Sequence, residues 1–142
     1  MDFPCKIISN SEEDTAEIAV LLAPLIENGS IVFLNGELGM GKTFLVKQLC
    51  AQYGIANVSS PSFAIVNEYH NGKKIIHFDF YRIGKVAELY DIGFEDYLGR
   101  SDTIIFIEWA ELYPEILPKK NIEISLISIN ESSREIIIKK NE

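Results

Sequence analysis

Residues 36–43, Gly-Glu-Leu-Gly-Met-Gly-Lys-Thr, have the types and spacing of a loop that binds phosphate. They fit the pattern G-x-x-x-x-G-K-[ST] at every fixed position. In such a loop the glycines allow backbone N–H groups to turn inward around phosphate oxygens, and the following helix directs its positive dipole end at the same charge. Lys42 would reach the terminal phosphates, and Thr43 would offer its hydroxyl to a magnesium ion. The motif predicts a nucleoside triphosphate as the ligand; the alternative is a glycine-rich turn with an incidental lysine.

The residues on both sides of this loop predict the elements that position it. Residues 31–34 are an unbroken apolar run, which is typical of a strand buried on both faces in a parallel sheet. Over residues 42–53, Phe44, Leu45 and Leu49 recur at helical spacing, and Gly54 is placed to end the helix. Strand, loop and helix therefore follow one another in the order that phosphate binding requires.

Glu108 is the carboxylate best placed to meet the magnesium ion. It follows residues 103–107, Thr-Ile-Ile-Phe-Ile, which predict a second buried strand. In phosphate-loop enzymes a carboxylate at the carboxyl end of such a strand meets the magnesium, directly or through water. Ligands of these sheets gather at the carboxyl ends of the strands, where the phosphate loop also lies. Taken alone, Glu108 could equally be a surface glutamate after a buried strand.

A hairpin is predicted between these two strands. Asn71-Gly72 separates two runs of apolar and aromatic residues, which is the strongest short-range sign of an antiparallel turn. Alternation along the second run places His77 and Asp79 on one face of the strand, opposite Phe78. That face is either a polar edge exposed to solvent, or the place where Asp79 orients a metal-bound or attacking water; the spacing does not choose.

The rest of the chain predicts further elements around this centre. They are a strand at residues 6–8, a helix that begins after Ser11, a short helix at residues 85–90, an apolar and aromatic connector at residues 92–94 and 97–98, and a closing hairpin of residues 122–127 and 134–138. The apolar stripe of the first helix comprises Ile18, Leu21, Leu22 and Leu25, and Pro24 should kink or end that helix. The predicted fold is a three-layer α/β sheet of the phosphate-loop NTPase type, with parallel core strands, antiparallel additions and helices on both faces.

Four features have two interpretations each. Thr15, in the first turn of its helix, is favoured as a solvent-facing residue by spacing alone, and Arg134 as an exposed charge unless the fold brings it to a nucleotide base. Trp109, the sole tryptophan, fills a core by default but lies next to the candidate metal ligand. Residues 59–63, Ser-Ser-Pro-Ser-Phe, form either a plain loop or one that responds to the terminal phosphate, as in nucleotide switches.

Composition narrows the function classes. The 142 residues, 47% of them hydrophobic, predict a single domain over residues 1–142. We expect a cytoplasmic protein, because the chain has no apolar run near the roughly 18 residues of a membrane span and no basic signal region. The net charge of −8 argues against broad contact with nucleic acid, whose binding depends on basic residues. Cys5 and Cys50 have no metal-ligand spacing and are expected to be buried, reduced thiols.

Four motifs in order resemble those of the bacterial TsaE family. They are the phosphate loop, Ser-Pro-Ser-Phe at residues 60–63, His-Phe-Asp-Phe-Tyr-Arg at residues 77–82, and Ile-Glu-Trp at residues 107–109. The resemblance spans nearly the whole chain. Ser62 stands where the family usually has threonine, which keeps the hydroxyl, and Met40 stands where alanine is usual.

Members of that family are small ATPases needed to make threonylcarbamoyladenosine in transfer RNA. The resemblance implies ATP bound with Mg²⁺, a weak intrinsic hydrolysis, and work in complex with TsaB and TsaD. TsaD transfers the threonylcarbamoyl group to the adenosine beside the anticodon, and ATP hydrolysis by the TsaE-like subunit resets the complex between turnovers. The partners would carry the transfer RNA, which agrees with the acidic composition of this chain.

The resemblance also implies roles for individual residues. Thr43 and Glu108 would hold the metal, Lys42 the phosphates, and Asp79 the reacting water or the switch loop, so that Lys42, Asp79 and Glu108 form the catalytic set. The residues expected to contact the nucleotide are Thr15, Glu37, Leu38, Gly39, Met40, Gly41, Lys42, Thr43, Phe44 and Arg134.

Two other functions share the phosphate loop. A small-molecule kinase usually needs a lid that carries arginines, and the three arginines of this chain are scattered. A GTP-dependent switch needs an Asn-Lys-x-Asp tetrad to read guanine, and the sequence lacks one. Both are less well supported than an ATPase.

Overall fold

A computed structural model describes residues 2–37, 39–56, 58 and 65–142. The strands are β1 (Cys5–Ser9), β2 (Ile31–Asn35), β3 (Val66–Asn71), β4 (Lys73–Asp79), β5 (Thr103–Glu108), β6 (Asn121–Ser128) and β7 (Arg134–Asn141). The helices are α1 (Glu12–Leu22), α2 (Lys42–Gln52), α3 (Ala87–Asp91) and α4 (Phe94–Leu98), with short 3₁₀ turns between some of these elements. Leu38 and residues 59–63 lie outside the described residues. The two interpretations of residues 59–63, a plain loop or one that responds to the terminal phosphate, therefore stay predictions.

The seven strands form one mixed sheet in the order β1-β7-β6-β2-β5-β4-β3. Its centre is parallel: β2 pairs with both β5 and β6, and β5 pairs with β4. The additions at the two sides are antiparallel, with β3 joined to β4, β6 to β7, and β7 to β1. The predicted parallel core, the Asn71-Gly72 hairpin and the closing hairpin are therefore confirmed.

Helices cover both faces of the sheet, which gives the predicted three layers. On one face the buried side chains of α1 and α2, such as Leu22 and Leu49, pack against apolar residues of β2, β5 and β6. On the other face Leu89 of α3 and Phe94 of α4 pack against residues of β4 and β5. Apolar side chains of β2 and β5 enter both cores in alternation, as expected for strands buried on both sides.

The first helix begins and ends where the sequence predicts, but its buried face differs. Ser11 caps α1 by accepting a hydrogen bond from the Asp14 backbone N–H at 3.0 Å, and the helix gives way to a 3₁₀ turn that contains Pro24. The stripe assigned to Leu21 and Leu25 was partly wrong, because these side chains are 58% and 38% exposed. Thr15 replaces them on the buried face, so the prediction of a solvent-facing threonine was also wrong.

The segment after β4 contains two short helices instead of one helix and a connector. α3 begins two residues later than predicted, and α4 lies within the stretch predicted as an apolar connector. Gly93 separates them at φ 78°, a conformation that glycine adopts without steric cost. Sequence could not find α4, because five residues are too few to show a helical period.

Both cysteines are free thiols, as predicted, but only Cys50 is buried, and Cys5 is half-buried. Burial raises the pKa of Cys50 to about 12. Within the described part of the chain, no helix combines the length and hydropathy needed to cross a bilayer.

Phe78→Ala is expected to lower the free energy of unfolding by about 3–5 kcal/mol, the usual result of truncating a buried aromatic side chain. Phe78 is fully buried and meets the rings of Phe94 and Tyr97 edge-on, at centroid distances of 5.0 and 5.4 Å. Denaturant unfolding would measure the change. Tyr90→Ala, at a residue that is 51% exposed, is the control and should change stability little; an equal loss in both variants would contradict this packing.

Candidate functional site

The phosphate loop depends on glycine at two positions where another residue would be strained and would clash. Gly41 precedes α2 with φ 94°, and a Cβ there would lie 2.6 Å from Arg134 Nη1. Gly36 has φ 152°, and its Cβ would approach the carbonyl oxygen of Leu126 to 2.9 Å. Arg134 Nη1 also donates a hydrogen bond to the Met40 carbonyl at 2.8 Å. The loop is thus packed against β6 and β7. A side chain at Gly36 would meet backbone, and one at Gly41 would require a left-handed conformation and displacement of the Arg134 side chain.

Lys42, the first residue of α2, is buried and turned toward its own loop. Its Nζ donates to the Gly36 carbonyl oxygen and lies 3.7 Å from the centroid of the Trp109 ring. Burial lowers the pKa of Lys42, and the negative charges of Glu108, Glu111 and Asp79 oppose that shift. The side chain is therefore held next to acidic groups without a carboxylate within ion-pair distance among the described residues.

Thr43 and Glu108 meet across the gap between α2 and β5. The Thr43 hydroxyl lies 3.2 Å from each carboxylate oxygen of Glu108, which is 4% exposed. Hydroxyl and carboxylate oxygens are the hard donors that Mg²⁺ prefers. In the described part of the chain no cluster of three or more His, Cys, Asp or Glu could hold a metal. The pair therefore fits Mg²⁺ that takes its other ligands from phosphate and water.

Asp79 and Glu108 end neighbouring parallel strands and are register partners. Asp79 Oδ1 accepts a hydrogen bond from the Tyr81 backbone N–H at 3.0 Å, and Oδ2 lies 4.0 Å from Arg82 Nε. Burial raises the pKa of Asp79, an effect that the hydrogen bond from Tyr81 opposes and the charge of Glu108 reinforces. Two carboxylates thus share the site with one lysine.

His77 is completely buried, so the interpretation of its strand face as a solvent-exposed polar edge was wrong. Its Nε2 lies 2.6 Å from Glu108 Oε2. The sequence placed His77 and Asp79 on one face correctly, but it gave no sign that this face meets Glu108, because the pairing of β4 with β5 joins residues about 30 positions apart.

Trp109 occupies an unusual backbone conformation beside the site. Its φ is 62°, and it is the only non-glycine with positive φ in the described residues. A residue held in this region costs about 1–3 kcal/mol and persists only when its surroundings fix it. Here the ring lies between Lys42 and Tyr81, whose ring centroid is 5.0 Å away. The half-buried tryptophan thus contacts the site as well as the core, which spacing alone could not reveal.

Two cavities adjoin the phosphate loop. A cavity of about 410 Å³ is lined by Lys42, Thr43, Asp79, Glu108 and Trp109, among others. A second, of about 440 Å³, is lined by Thr15, Arg134, Ser11, Glu131 and Ser132, among others. Gly39, Gly41 and Phe44 line both. The two cavities therefore share part of the loop as a wall, with Lys42, Asp79 and Glu108 in one and Thr15 and Arg134 in the other.

The predicted site residues that the structure describes lie in or beside the two cavities, and Glu37 and Met40 are the two whose side chains line neither. Arg134 is half-buried against the loop, so the fold does bring it to the second cavity. Glu37 is exposed and lines neither cavity, and Met40 contributes its carbonyl to Arg134. The sequence did not single out Ser9, whose hydroxyl lies 2.6 Å from that of Thr15 and which lines the second cavity. A third cavity of about 440 Å³, at the amino ends of the parallel strands, contains none of these residues.

The order of strands, the glycine loop that leads into α2 and the acid that ends β5 define a protein of the phosphate-loop NTPase fold class. The model of the family "Threonylcarbamoyl adenosine biosynthesis protein TsaE" matches residues 9–136. The chain therefore belongs to the TsaE family, whose members take part in threonylcarbamoyladenosine biosynthesis, and the predicted resemblance is confirmed.

Comparisons with individual relatives agree with this family assignment. The chain is 37% identical over 136 residues to the tRNA threonylcarbamoyladenosine biosynthesis protein TsaE of Rickettsia typhi, with 92% of each chain covered. It is 35% identical over 126 residues to the TsaE protein of Bacillus subtilis, covering 87% of this chain and 78% of the relative. The crystal structure of Bacillus subtilis YdiB matches with a TM-score of 0.80 and 27% identity, over 100% of this chain and 88% of the other.

Asp79→Asn is expected to raise the free energy of unfolding at neutral pH. The raised pKa means that folded Asp79 keeps its proton at pH values where the unfolded chain, with an ordinary pKa of 3.8, has released it. The stabilising contribution of protonated Asp79 is therefore complete below the unfolded-state pKa of 3.8 and is lost as the pH rises through the folded-state pKa. Asparagine keeps an oxygen that accepts the Tyr81 N–H, and it never ionises. The variant should therefore be more stable than the wild type above the folded-state pKa of Asp79 and equally stable in acid.

Denaturant unfolding of both proteins at a series of pH values, from acidic to neutral, measures this difference. Asp91→Asn, at an exposed position, is the matched control and should show no such pH dependence. A stability difference for Asp79→Asn that stays constant with pH would contradict the assignment.

Proposed function

We propose that this protein is a weak, Mg²⁺-dependent ATPase that serves threonylcarbamoyladenosine modification of transfer RNA, acting with TsaB- and TsaD-like partners. The observation that carries the proposal is the convergence of Lys42, Thr43 and Glu108 beside a glycine loop at the carboxyl ends of parallel strands. Membership of the TsaE family supports the pathway. The partners and a cytoplasmic location are part of the proposal, and the resemblance to the TsaE family supports them.

In this proposal ATP lies along the loop and occupies parts of both cavities that the loop borders. The phosphates occupy the cavity of Lys42 and Glu108, where backbone N–H groups at the start of α2 favour negative charge. The base end occupies the cavity of Thr15 and Arg134, whose half-buried guanidinium offers donors and a planar face. Glu37, Leu38, Gly39, Met40, Gly41 and Phe44 belong to the proposed nucleotide contacts through their place in or beside the loop.

Hydrolysis would proceed by in-line attack of water on the terminal phosphorus, with ADP as the leaving group. Asp79 would orient the attacking water by accepting a hydrogen bond from it, and Lys42 would place its ammonium against the oxygens on which charge develops. Thr43 and Glu108 would hold Mg²⁺, which supplies further positive charge to the phosphate oxygens when bound. Burial of Lys42 and Asp79 strengthens these interactions, because few water molecules screen them.

The acidic chain is proposed to reach transfer RNA only through its partners. With a net charge of −8 it has few basic residues to displace the counterions of a nucleic acid. The product of hydrolysis, ADP, lacks the terminal phosphate that Lys42 and the metal hold, so the site distinguishes the states before and after turnover. That difference would reset the partner complex.

Lys42→Ala is expected to reduce ATP turnover by about 100-fold or more, since it removes a charge that stabilises the transition state. Lys47→Ala is the matched control, because Lys47 is exposed on the same helix.

Glu108→Ala should lose the Mg²⁺-dependent part of turnover, whereas Glu115→Ala, at an exposed position, should not. Phosphate release measures turnover, and unfolding curves check that each variant folds. Wild-type turnover by folded Lys42→Ala would contradict the site.

ATP hydrolysis is also expected to increase when TsaB- and TsaD-like proteins are added, because a reset step couples hydrolysis to the complex. The measurement compares ATP hydrolysis by the chain alone, by the partners alone and by the mixture. The two samples that contain the chain are repeated with the Lys42→Ala variant as a control. A mixture that hydrolyses ATP no faster than the sum of its parts would contradict the proposed partnership while leaving the ATPase site intact. A phosphorylated metabolite as product would indicate a kinase instead.

A further inference from the structure

His77 is a buried polar residue that the proposed mechanism does not use. It is 0% exposed, and it lies on β4 between β3 and β5. Its Nε2 is 2.6 Å from Glu108 Oε2, the shortest of the contacts that the carboxylate makes to described residues. Burying a histidine costs free energy unless its polar atoms are paired, so its presence here calls for a role.

The register of the sheet explains why this contact forms. His77 is the partner of Phe106, and Glu108 follows two residues later on the same face of β5. Glu108 is thus a diagonal neighbour of His77 across this parallel pair, and its side chain reaches the ring. The contact therefore rests on two central strands of the sheet and does not depend on a loop.

The hydrogen bonds of the ring identify its protonated nitrogen. His77 Nδ1 is buried and has no hydrogen-bond partner in the described residues. An N–H at that position would be a buried donor without an acceptor, which is unfavourable. Because a carboxylate oxygen accepts, the contact with Glu108 places the proton of a neutral ring on Nε2, which donates it to Oε2.

This bond restricts what Glu108 can do. His77 holds Oε2, and the Thr43 hydroxyl lies 3.2 Å from both Oε1 and Oε2, so that the two residues together fix the direction of the carboxylate. A carboxylate released from His77 would be free to turn toward the buried ammonium of Lys42, whose pKa already responds to its charge. An ion pair between Glu108 and Lys42 would occupy both the metal ligand and the phosphate-binding group.

We propose that His77 is a positioning residue for the metal site: its Nε2–H holds the Glu108 carboxylate in the orientation that, together with Thr43, accepts a divalent cation. The proposal rests on the proposed function, since it assigns Glu108 to Mg²⁺. Groups that hydrogen-bond to metal ligands in this way typically change metal affinity by 10- to 100-fold when they are removed.

Nitrogen NMR of the imidazole rings tests the geometry in the metal-free protein. The chain contains two histidines, and the other, His70, is exposed on β3, so His70→Gln assigns the spectrum. We expect His77 to carry its proton on Nε2 alone, and Glu108→Gln to shift that signal. A proton on Nδ1, or a signal that does not respond to Glu108→Gln, would overturn the proposal without any binding measurement.

Calorimetric titration of Mg²⁺ into the protein with a non-hydrolysable ATP analogue tests the consequence. His77→Leu, which keeps an apolar volume but no donor, should raise the Mg²⁺ concentration needed by roughly 10- to 100-fold. Binding of the analogue in the presence of a chelator should stay unchanged. His77→Gln, which can offer an N–H near the position of Nε2, should restore most of the Mg²⁺ affinity, and His70→Gln should behave as wild type.

The outcomes separate this inference from the proposed function. If wild-type protein binds Mg²⁺ with the analogue and folded His77→Leu does so equally well, the positioning role is wrong and the ATPase site stands. If His77→Leu weakens binding with and without Mg²⁺ alike, or if His77→Gln does not rescue, the role of His77 is merely structural. If the wild-type protein binds no Mg²⁺ with the analogue, the proposed function fails as well.

Discussion

The parallel pairing of β2, β5 and β4 is the constraint on which the site depends. It brings Leu34, Glu108 and Asp79 into line at the carboxyl ends of adjacent strands, so that the loop after β2 and the two acids open at the same edge. Because apolar side chains of β2 and β5 are buried on both faces, a shift in register would move side chains between two packed cores. The positions of the acids are thus fixed by the packing of residues that never contact a ligand.

The opposing charges of the site are held apart by specific contacts. Lys42 is directed to a backbone carbonyl and an aromatic ring, and Glu108 to a histidine and a threonine. Opposite charges this close in a buried site would otherwise pair strongly. The arrangement keeps both groups available for a ligand of mixed charge, such as a phosphate chain with its cation. The strained backbone of Trp109 is consistent with this reading, since strain of this kind is found where function fixes a conformation.

Sequence predicted the elements whose signals are local. The phosphate loop, the apolar strands, the Asn71-Gly72 turn and the cap at Ser11 each depend on residues close together in the chain. It also predicted the acid at the end of β5, because a buried strand and its last residue are adjacent. It failed for Thr15 and Leu21, since the face that α1 buries depends on how the helix docks, and the threonine hydroxyl finds a partner in Ser9. The contacts of His77 and Trp109 required the register between strands, which no local pattern contains.

The bond from Arg134 to the Met40 carbonyl joins residues that are 94 positions apart and has a consequence for the order of synthesis. The phosphate loop and α2 emerge from the ribosome well before the strand that carries Arg134, which is translated near the end of these 142 residues. Because β1 pairs only with β7 among the described strands, the first strand must also wait for the last. A nascent chain can therefore contain a complete phosphate loop while the second cavity still lacks a wall, and the whole pocket forms only after translation has passed β7.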